Sequence, residues 1–144
     1  MPEKPQSFAN HARFHPIYHF VLVPILLINV IVSIVWVVRE PGFASAWDLV
    51  MACALMILVT LVRVNPLKAQ DRVIRLEERL RLYALLPESE RHRIPELTEA
   101  QLIALRFAAD EDLPALANRA LNEKLTGKQI KQAINNWRPD YFRV

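Results

Sequence analysis

One uncharged apolar run near the start of the chain limits its possible folds more than any other feature. The run IYHFVLVPILLINVIVSIVWVV, residues 17–38, contains no Asp, Glu, Lys or Arg. As a helix rising 1.5 Å per residue it measures roughly 33 Å, enough to cross the hydrocarbon core of a bilayer. It is too long for the core of a signal peptide, and no small-residue cleavage pattern follows it directly. The run therefore predicts a membrane-spanning helix.

A second apolar run, residues 46–64, follows the short polar turn REPGFAS. Ser45 is expected to cap this helix, and Asp48 to lie at the headgroup edge near the positive end of the helix dipole. Two spans joined by so short a turn predict an antiparallel hairpin. Lysine and arginine flank the spans on the terminal sides, whereas the turn carries only Arg39. The positive-inside rule therefore places both termini in the cytoplasm.

Composition excludes several classes of site. The two glycines, Gly42 and Gly127, are too few for the loops that bring backbone amides against phosphates. The single cysteine, Cys53, excludes an internal disulfide and a cysteine-based zinc site within one chain. The net charge of +3 is too small to indicate nucleic acid by itself. No nucleophile, acid–base pair or metal cluster stands out, so we expect neither catalytic activity nor a cofactor.

Three histidines, His11, His15 and His19, lie four residues apart at the entrance to the first span. Neighbouring pairs could share a metal on one helical face. His11 and His19, however, are about 12 Å apart along a straight helix, while zinc–nitrogen bonds are about 2 Å. Pro16 predicts a break near His15. We expect histidines among lipid headgroups, with proton sensing near pH 6.5 and metal binding as the alternatives.

Asn29 and Ser33 form a polar stripe near the middle of the first span. A side-chain amide in hydrocarbon is costly unless it finds a partner. Three interpretations are open: Asn29 bonds within its own hairpin, it contacts another copy of the chain, or it lines an oligomeric pore with Ser33. The contact between copies is favoured, because the second span offers only Thr60 and Cys53 as polar partners and two helices cannot enclose a water path.

Asn65 and Pro66 are expected to end or kink the second span, and a charged cytoplasmic helix is predicted over residues 65–86. Its apolar residues alternate at intervals of four and three, as in a coiled-coil seam, over about two heptads. This face either contacts another copy or packs on the chain's own C-terminal domain. An intrahelical pair is expected between Glu77 and Arg81. The seam comprises Ala69, Val73, Leu76, Leu80 and Tyr83.

Residues 87–97 predict a polar linker, and residues 98–144 predict three short helices around a small core. TEAQ, from Thr98, and TGKQ, from Thr126, are capping boxes that start the outer two helices. Asp110 is expected to cap the middle helix, with Pro114 in its first turn. The expected core comprises Leu102, Leu105, Phe107, Leu113, Leu116, Leu121, Ile130, Ile134 and Trp137.

The order of helix, helix, turn and helix in this domain also outlines a helix-turn-helix. The third helix would then expose side chains able to reach phosphates and adenine edges. Any solvated helix face looks similar, so DNA contact is the least favoured interpretation, and oligomerisation or partner docking is the simpler one. The exposed side chains would be Lys128, Gln129, Lys131, Gln132 and Asn135.

The stretches QSFANHARFHPIYHFVLVPILLIN and LTGKQIKQAINNWRPDYFRV resemble those of an uncharacterised family of small bacterial membrane proteins with two spans, a domain of unknown function. The resemblance covers nearly the whole chain. It implies a bacterial cytoplasmic membrane, and it supplies no activity and no site residues.

These patterns predict an all-α protein with an interfacial segment (1–16), a transmembrane hairpin (17–64, with spans at about 17–38 and 46–64), an amphipathic cytoplasmic helix, a linker and a C-terminal three-helix domain. The expected function is a homo-oligomeric scaffold or accessory subunit of the inner membrane, without catalysis. Its expected partners are the lipid bilayer, its own copies and other subunits of a membrane complex. The alternatives are an oligomeric ion channel, pH-sensitive through its histidines, and a membrane-tethered nucleic-acid-binding protein.

Overall fold

The computed structural model of the chain describes residues 6–9 and 15–140, and this part is helical, with one isolated bridge between Ala108 and Trp137. It divides into two compact units. Arg13–Leu67 forms the apolar unit, and Met1–Ala12 together with Lys68–Val144 forms the C-terminal unit. In chain order the elements are a π-helix (Ile17–Leu22), α1 (Val23–Arg39), α2 (Phe43–Leu85), a 3₁₀ helix (Glu88–Glu96), α3 (Glu99–Leu105), α4 (Leu113–Asn122) and α5 (Gly127–Ala133).

The first apolar helix opens in π geometry because of Pro24. Proline has no amide, and in a regular α-helix its ring meets the carbonyl of the residue four positions earlier, here Phe20. In the wider π turn the amide of Val23 instead donates to the carbonyl of Tyr18, five positions earlier. The helix therefore passes Pro24 without a break and continues as α1.

The second helix, α2, runs from Phe43 to Leu85 with Pro66 inside it, so the structure shows no end at Asn65 or Pro66, where the sequence suggested an end or a kink. An internal proline costs about 3 kcal/mol because one hydrogen bond is lost. The carbonyl that loses its partner belongs to Val62, which is exposed. The four residues after the proline, LKAQ, are all good helix formers, so the helix continues beyond it. The second apolar run and the charged segment are thus one helix.

Both apolar helices leave most of their side chains exposed. In the most apolar 18-residue stretch, 6% of residues are buried in Ile17–Arg39 and 17% in Phe43–Leu85. A core helix of a soluble protein buries its apolar face. Both helices are long and apolar enough to cross a membrane. Length, composition and exposure together indicate association with a membrane.

The core of the C-terminal unit contains the nine residues that the sequence predicted, with Leu121 and Trp137 at its partly buried edge. It also contains residues from elements outside the predicted three-helix domain. Leu82 lies in α2 and Leu86 directly after it, while Ile94 belongs to the 3₁₀ helix and is 1% exposed. The final turns of α2 therefore complete this core.

The segment predicted as a polar linker is the ordered 3₁₀ helix Glu88–Glu96. Its side chains bond to α4: the Asn118 amide donates to Glu90 at 2.6 Å, and Arg93 donates to Asn118 at 3.3 Å. Sequence periodicity missed the element because it has only one fully buried side chain, Ile94, among charged neighbours.

Both predicted capping boxes are confirmed, at Thr98 with Gln101 and at Thr126 with Gln129. The two glutamines have different environments. Gln101 is buried, and its amide nitrogen also donates to the carbonyls of Ala120 at 3.2 Å and Leu125 at 3.0 Å. Gln129 is exposed and serves its own cap. Gln101 thus ties the start of α3 to the end of α4 and the following loop.

The start of α5 lies against the backbone of α3. A Cβ at Gly127 would stand 3.0 Å from the carbonyl oxygen of Ala100 and 3.6 Å from the Cβ of Ala104. A backbone carbonyl in a helix cannot move away cheaply, so glycine permits this close approach. The two capped helices can therefore pack with their first turns in contact.

We predict that Gln101→Leu destabilises the C-terminal unit by about 2 kcal/mol, because it removes the side-chain half of the capping box and the amide that donates to the carbonyls of Ala120 and Leu125. Gln129→Leu is the matched control, since it removes the equivalent side-chain half of a capping box in an exposed position and should cost about 1 kcal/mol or less. Urea unfolding in mild detergent, followed through Trp137 fluorescence with Trp36 and Trp47 changed to Phe, measures both. Equal losses would contradict the bridging role of Gln101.

Candidate functional site

The predicted seam on α2 is exposed along its whole length. Val73, Leu76, Leu80 and Tyr83 are 46–62% exposed. The row of residues on the other side of the helix, at intervals of four, is buried. That buried row comprises Ile74, Glu78, Leu82 and, directly after the helix, Leu86. The chain's own C-terminal unit therefore uses a different face of α2 from the seam, which lies uncovered.

The charges beside the buried row are paired within the C-terminal unit. Arg75 forms an ion pair with Glu99 at the start of α3. Arg81 donates to the Asp110 carboxylate at 2.6 Å and to the Ala108 carbonyl at 2.6 Å. These contacts join α2 to the start of α3 and to the segment between α3 and α4.

Two sequence predictions about these charges are wrong for the same reason. Asp110 does not cap α4, whose N-cap is Asp112, because the Asp110 carboxylate faces Arg81. The expected pair of Glu77 with Arg81 is not formed, because Arg81 binds Glu78 at 3.1 Å and Asp110 at 2.5 Å. The Arg81 guanidinium bonds to these two carboxylates, and not to Glu77, because together they accept from more of its N–H donors.

A charged cleft of about 440 Å³ lies beside this cluster. Glu78 is at its base, with its side chain 4% exposed, and it also contacts Arg138 at 3.7 Å. Burial raises the pKa of Glu78 above its ordinary value, and the neighbouring Arg81 opposes that rise. The cleft presents three carboxylates and two guanidiniums, and no hydroxyl or thiol is among its lining residues. These are Glu77, Glu78, Arg81, Asp110 and Arg138.

In the apolar unit, the two halves of the predicted polar stripe have different surroundings. The Ser33 hydroxyl is buried and donates to the Asp48 carboxylate at 2.5 Å. Asn29 is partly exposed, and no described residue forms a hydrogen bond with its side-chain amide. Ser33 is therefore engaged within its own chain, whereas Asn29 is not.

Polar contacts cluster where α1 gives way to α2. Ser45 is buried in the first turn of α2 rather than at its cap, because the helix already begins at Phe43. Its hydroxyl donates to the Glu40 carbonyl at 2.7 Å and accepts from the Gly42 amide at 3.1 Å. The Ser45 side chain, which comes after the turn in the sequence, therefore stabilises the turn between α1 and α2.

Of the three histidines, His15 and His19 lie in the described part of the chain and His11 lies outside it. The His15 amide donates to the Nδ1 atom of His19 at 3.2 Å. Tyr18, which stands edge-on to the His19 ring, donates to the Val59 carbonyl at 3.4 Å. Among the described residues, no three His, Cys, Asp or Glu side chains are grouped to hold a metal ion.

The side chains considered for nucleic-acid contact do not form a uniform free face on α5. Gln129 serves the cap of the helix, and the Lys131 ammonium lies 5.6 Å from the centre of the Phe107 ring. Lys128 and Gln132 are exposed on the helix. Asn135 is exposed but lies beyond the end of α5 at Ala133, so its predicted place on this helix is wrong.

The buried row on α2 was not predicted from the sequence, because the coiled-coil spacing of the seam already accounted for most apolar residues of this segment. The signal was present in the spacing of Ile74, Leu82 and Leu86, which lie on one ridge of side chains four residues apart. Glu78 interrupts that ridge with a charge, which hides it from a count of apolar residues. An arginine three residues later, Arg81, was the clue that this charge has a partner.

The structure defines a helical protein with two candidate membrane spans and a compact helical C-terminal unit. The chain belongs to the family of unknown function DUF6526, whose model matches residues 1–144. No curated protein and no solved structure matches it. No activity is described for the family. The function of this chain therefore has to be inferred from its own exposed surfaces.

We predict that Glu78 makes the C-terminal unit less stable as the pH rises. The folded pKa lies above the ordinary value of 4.5, so the folded state binds more protons than the unfolded state in the interval between them. The free energy of unfolding of the natural chain, compared with that of Glu78→Gln, should therefore fall as pH rises from 4.5 through the folded pKa. Urea unfolding read from Trp137 at several pH values measures this difference.

Glu111→Gln, which removes an exposed carboxylate, is the control and should give a difference that does not vary with pH. A difference between the natural chain and Glu78→Gln that rises with pH would mean that the arginines, and not burial, dominate the environment of Glu78.

Proposed function

We propose that this chain is a structural protein of the bacterial cytoplasmic membrane: a two-span hairpin that holds its C-terminal unit in the cytoplasm and assembles with copies of itself, without catalysis of its own. The observation that carries the proposal is the exposed seam on α2, Val73, Leu76, Leu80 and Tyr83, on a helix whose other side is already occupied. Exposed apolar rows of this kind are contact surfaces for other proteins.

The membrane half of the proposal is supported by contacts within each unit. In the apolar unit, Ser33 in the second half of α1 meets Asp48 near the start of α2. Tyr18, near the start of the first helix, meets Val59, which lies about three turns after Asp48 along α2. Such pairing is that of an antiparallel hairpin. Arg63 over the Tyr18 ring, at 5.8 Å, fits the aromatic and basic belt at a cytoplasmic interface.

The C-terminal unit supports an even number of crossings. Gln6 precedes the first apolar helix and Asp140 follows the second, yet the two residues form two hydrogen bonds with each other, at 3.1 and 2.9 Å. Residues in direct contact lie on the same side of a membrane. The basic residues after the second span favour the cytoplasmic side.

A scaffold is better supported than a channel. A pore stripe needs both Asn29 and Ser33 to face water, but Ser33 is buried and bonded to Asp48. Of the two residues of the stripe, Asn29 is the one available for a contact between copies, where an interhelical hydrogen bond in a membrane contributes about 1 kcal/mol. Other subunits of a membrane complex are further candidate partners for the exposed surfaces.

Topology and assembly can be tested together in the full-length protein. Alkaline phosphatase fused after Val144 should be inactive and a fluorescent protein at the same place should fold. Phosphatase inserted at Gly42, in the turn, should be active. Light scattering in mild detergent should give a mass above one chain. An active C-terminal phosphatase contradicts the topology, and a monomer in detergent and in cross-linked membranes contradicts the scaffold.

Asn29→Leu separates the scaffold from the channel. We expect it to weaken self-association about fivefold, as the loss of roughly 1 kcal/mol implies, with membrane insertion intact. Val32→Leu, at an exposed position nearby, is the control and should leave association unchanged. Sedimentation in detergent measures association, and flux into vesicles measures conduction. Unchanged association with a lost ion flux would favour the channel instead.

A further inference from the structure

We infer that the seam binds the seam of a second copy as a parallel, in-register, two-stranded coiled coil, in which Arg72 of each copy pairs with Glu77 of the other. This inference rests on the proposed function, because it specifies the surface through which the copies assemble. The partner is a second copy of this chain, which the faces of α2 and its charges identify.

The exposed and the buried residues of α2 occupy different positions of the heptad. In heptad letters, Val73 and Leu80 are at a and Leu76 and Tyr83 are at d, so the exposed residues are those that form a coiled-coil interface. The buried residues Ile74, Glu78 and Leu82 occupy the b, f and c positions on the far side. The chain's own C-terminal unit and a second helix therefore contact α2 without competing for one surface.

The first heptad of the seam favours two strands. A β-branched residue at a with leucine at d favours a parallel dimer over larger bundles, and Val73 with Leu76 follows that rule. The seam is only about two heptads long, which is short for a coiled coil in free solution. Here, however, the helix is already formed as part of the 43-residue α2. Anchoring both copies in one membrane raises their effective concentration.

Charge selects the parallel arrangement. Arg72 is at g and Glu77, five residues later, is at e, and these are the positions that face each other between parallel strands. In the described part of the chain neither side chain has an ion-pair partner, whereas Arg75, Glu78 and Arg81 on the same helix are all paired internally. An antiparallel pair would instead place the g-position arginines of the two copies against each other. Two copies inserted in one membrane with the same topology also point the same way.

Charge reversal tests the pairing directly, in the full-length chain with Cys53→Ser and Leu76→Cys. In a parallel, in-register dimer the two Cys side chains at the d position meet and cross-link under mild oxidation in native membranes. Arg72→Glu or Glu77→Arg should each lower cross-linking about tenfold, because attraction becomes repulsion in two symmetric pairs. The double variant Arg72→Glu with Glu77→Arg should restore it.

Two matched controls accompany these variants. Arg79→Glu makes the same charge change at the next g position, which faces Ala84 of the other copy, and should have a smaller effect. Leu85→Cys lies at an f position, away from the seam, and should not cross-link. Trp137 fluorescence of each variant confirms that the C-terminal unit remains folded.

Each outcome decides a separate point. A chain that is monomeric by light scattering and does not cross-link in membranes overturns the proposed scaffold and the seam together. If the chain is oligomeric but neither charge reversal lowers cross-linking, the proposed scaffold is retained and the seam is overturned as its interface. Losses that the double variant does not restore overturn the Arg72–Glu77 pairing, and cross-linking to a different protein alone overturns a second copy as the occupant.

Discussion

The C-terminal unit depends on a single face of α2. Three helices of seven, ten and seven residues enclose too little apolar surface to be stable by themselves. Leu82 and Leu86, together with Ile94 and Leu97 from the segment after them, add the missing side chains to the core. The unit is therefore built onto the helix that leaves the apolar region, and the opposite face of that helix stays uncovered.

The ion pairs set the orientation in which the C-terminal unit packs on α2 more than they add to its stability. Glu78 is buried between Arg81 and Arg138, yet its pKa is raised, so burial costs more than the arginines return. Replacing a buried ion pair by apolar residues is often neutral or stabilising. What the charges do provide is selectivity, because only one rotation of α2 places Glu78 beside both arginines while Arg75 reaches Glu99. A smooth apolar row would tolerate several rotations.

Hydrogen bonds between residues close in sequence were predictable from the sequence. Contacts between residues far apart in sequence were not. The capping boxes at Thr98 and Thr126 involve residues three apart, so their pattern is visible in the letters alone. The second role of Gln101, which bonds to carbonyls of Ala120 and Leu125, depends on how α3 meets α4. Asp110 was equally suited to a cap or an ion pair, and the position of Arg81, far away in sequence, decided between them. The two faces of α2 were both compatible with a 3.6-residue period, and packing selected one.

The bonds between Gln6 and Asp140 set an order of events during synthesis. They join residues 134 positions apart, so the loop they close contains both apolar helices and nearly all of the C-terminal unit. Closing a loop of this length is entropically costly and slow unless the intervening chain has already folded. Asp140 also leaves the ribosome after all the named helices have been made. This contact is therefore a late step in folding, which forms after the rest of the C-terminal unit has been made.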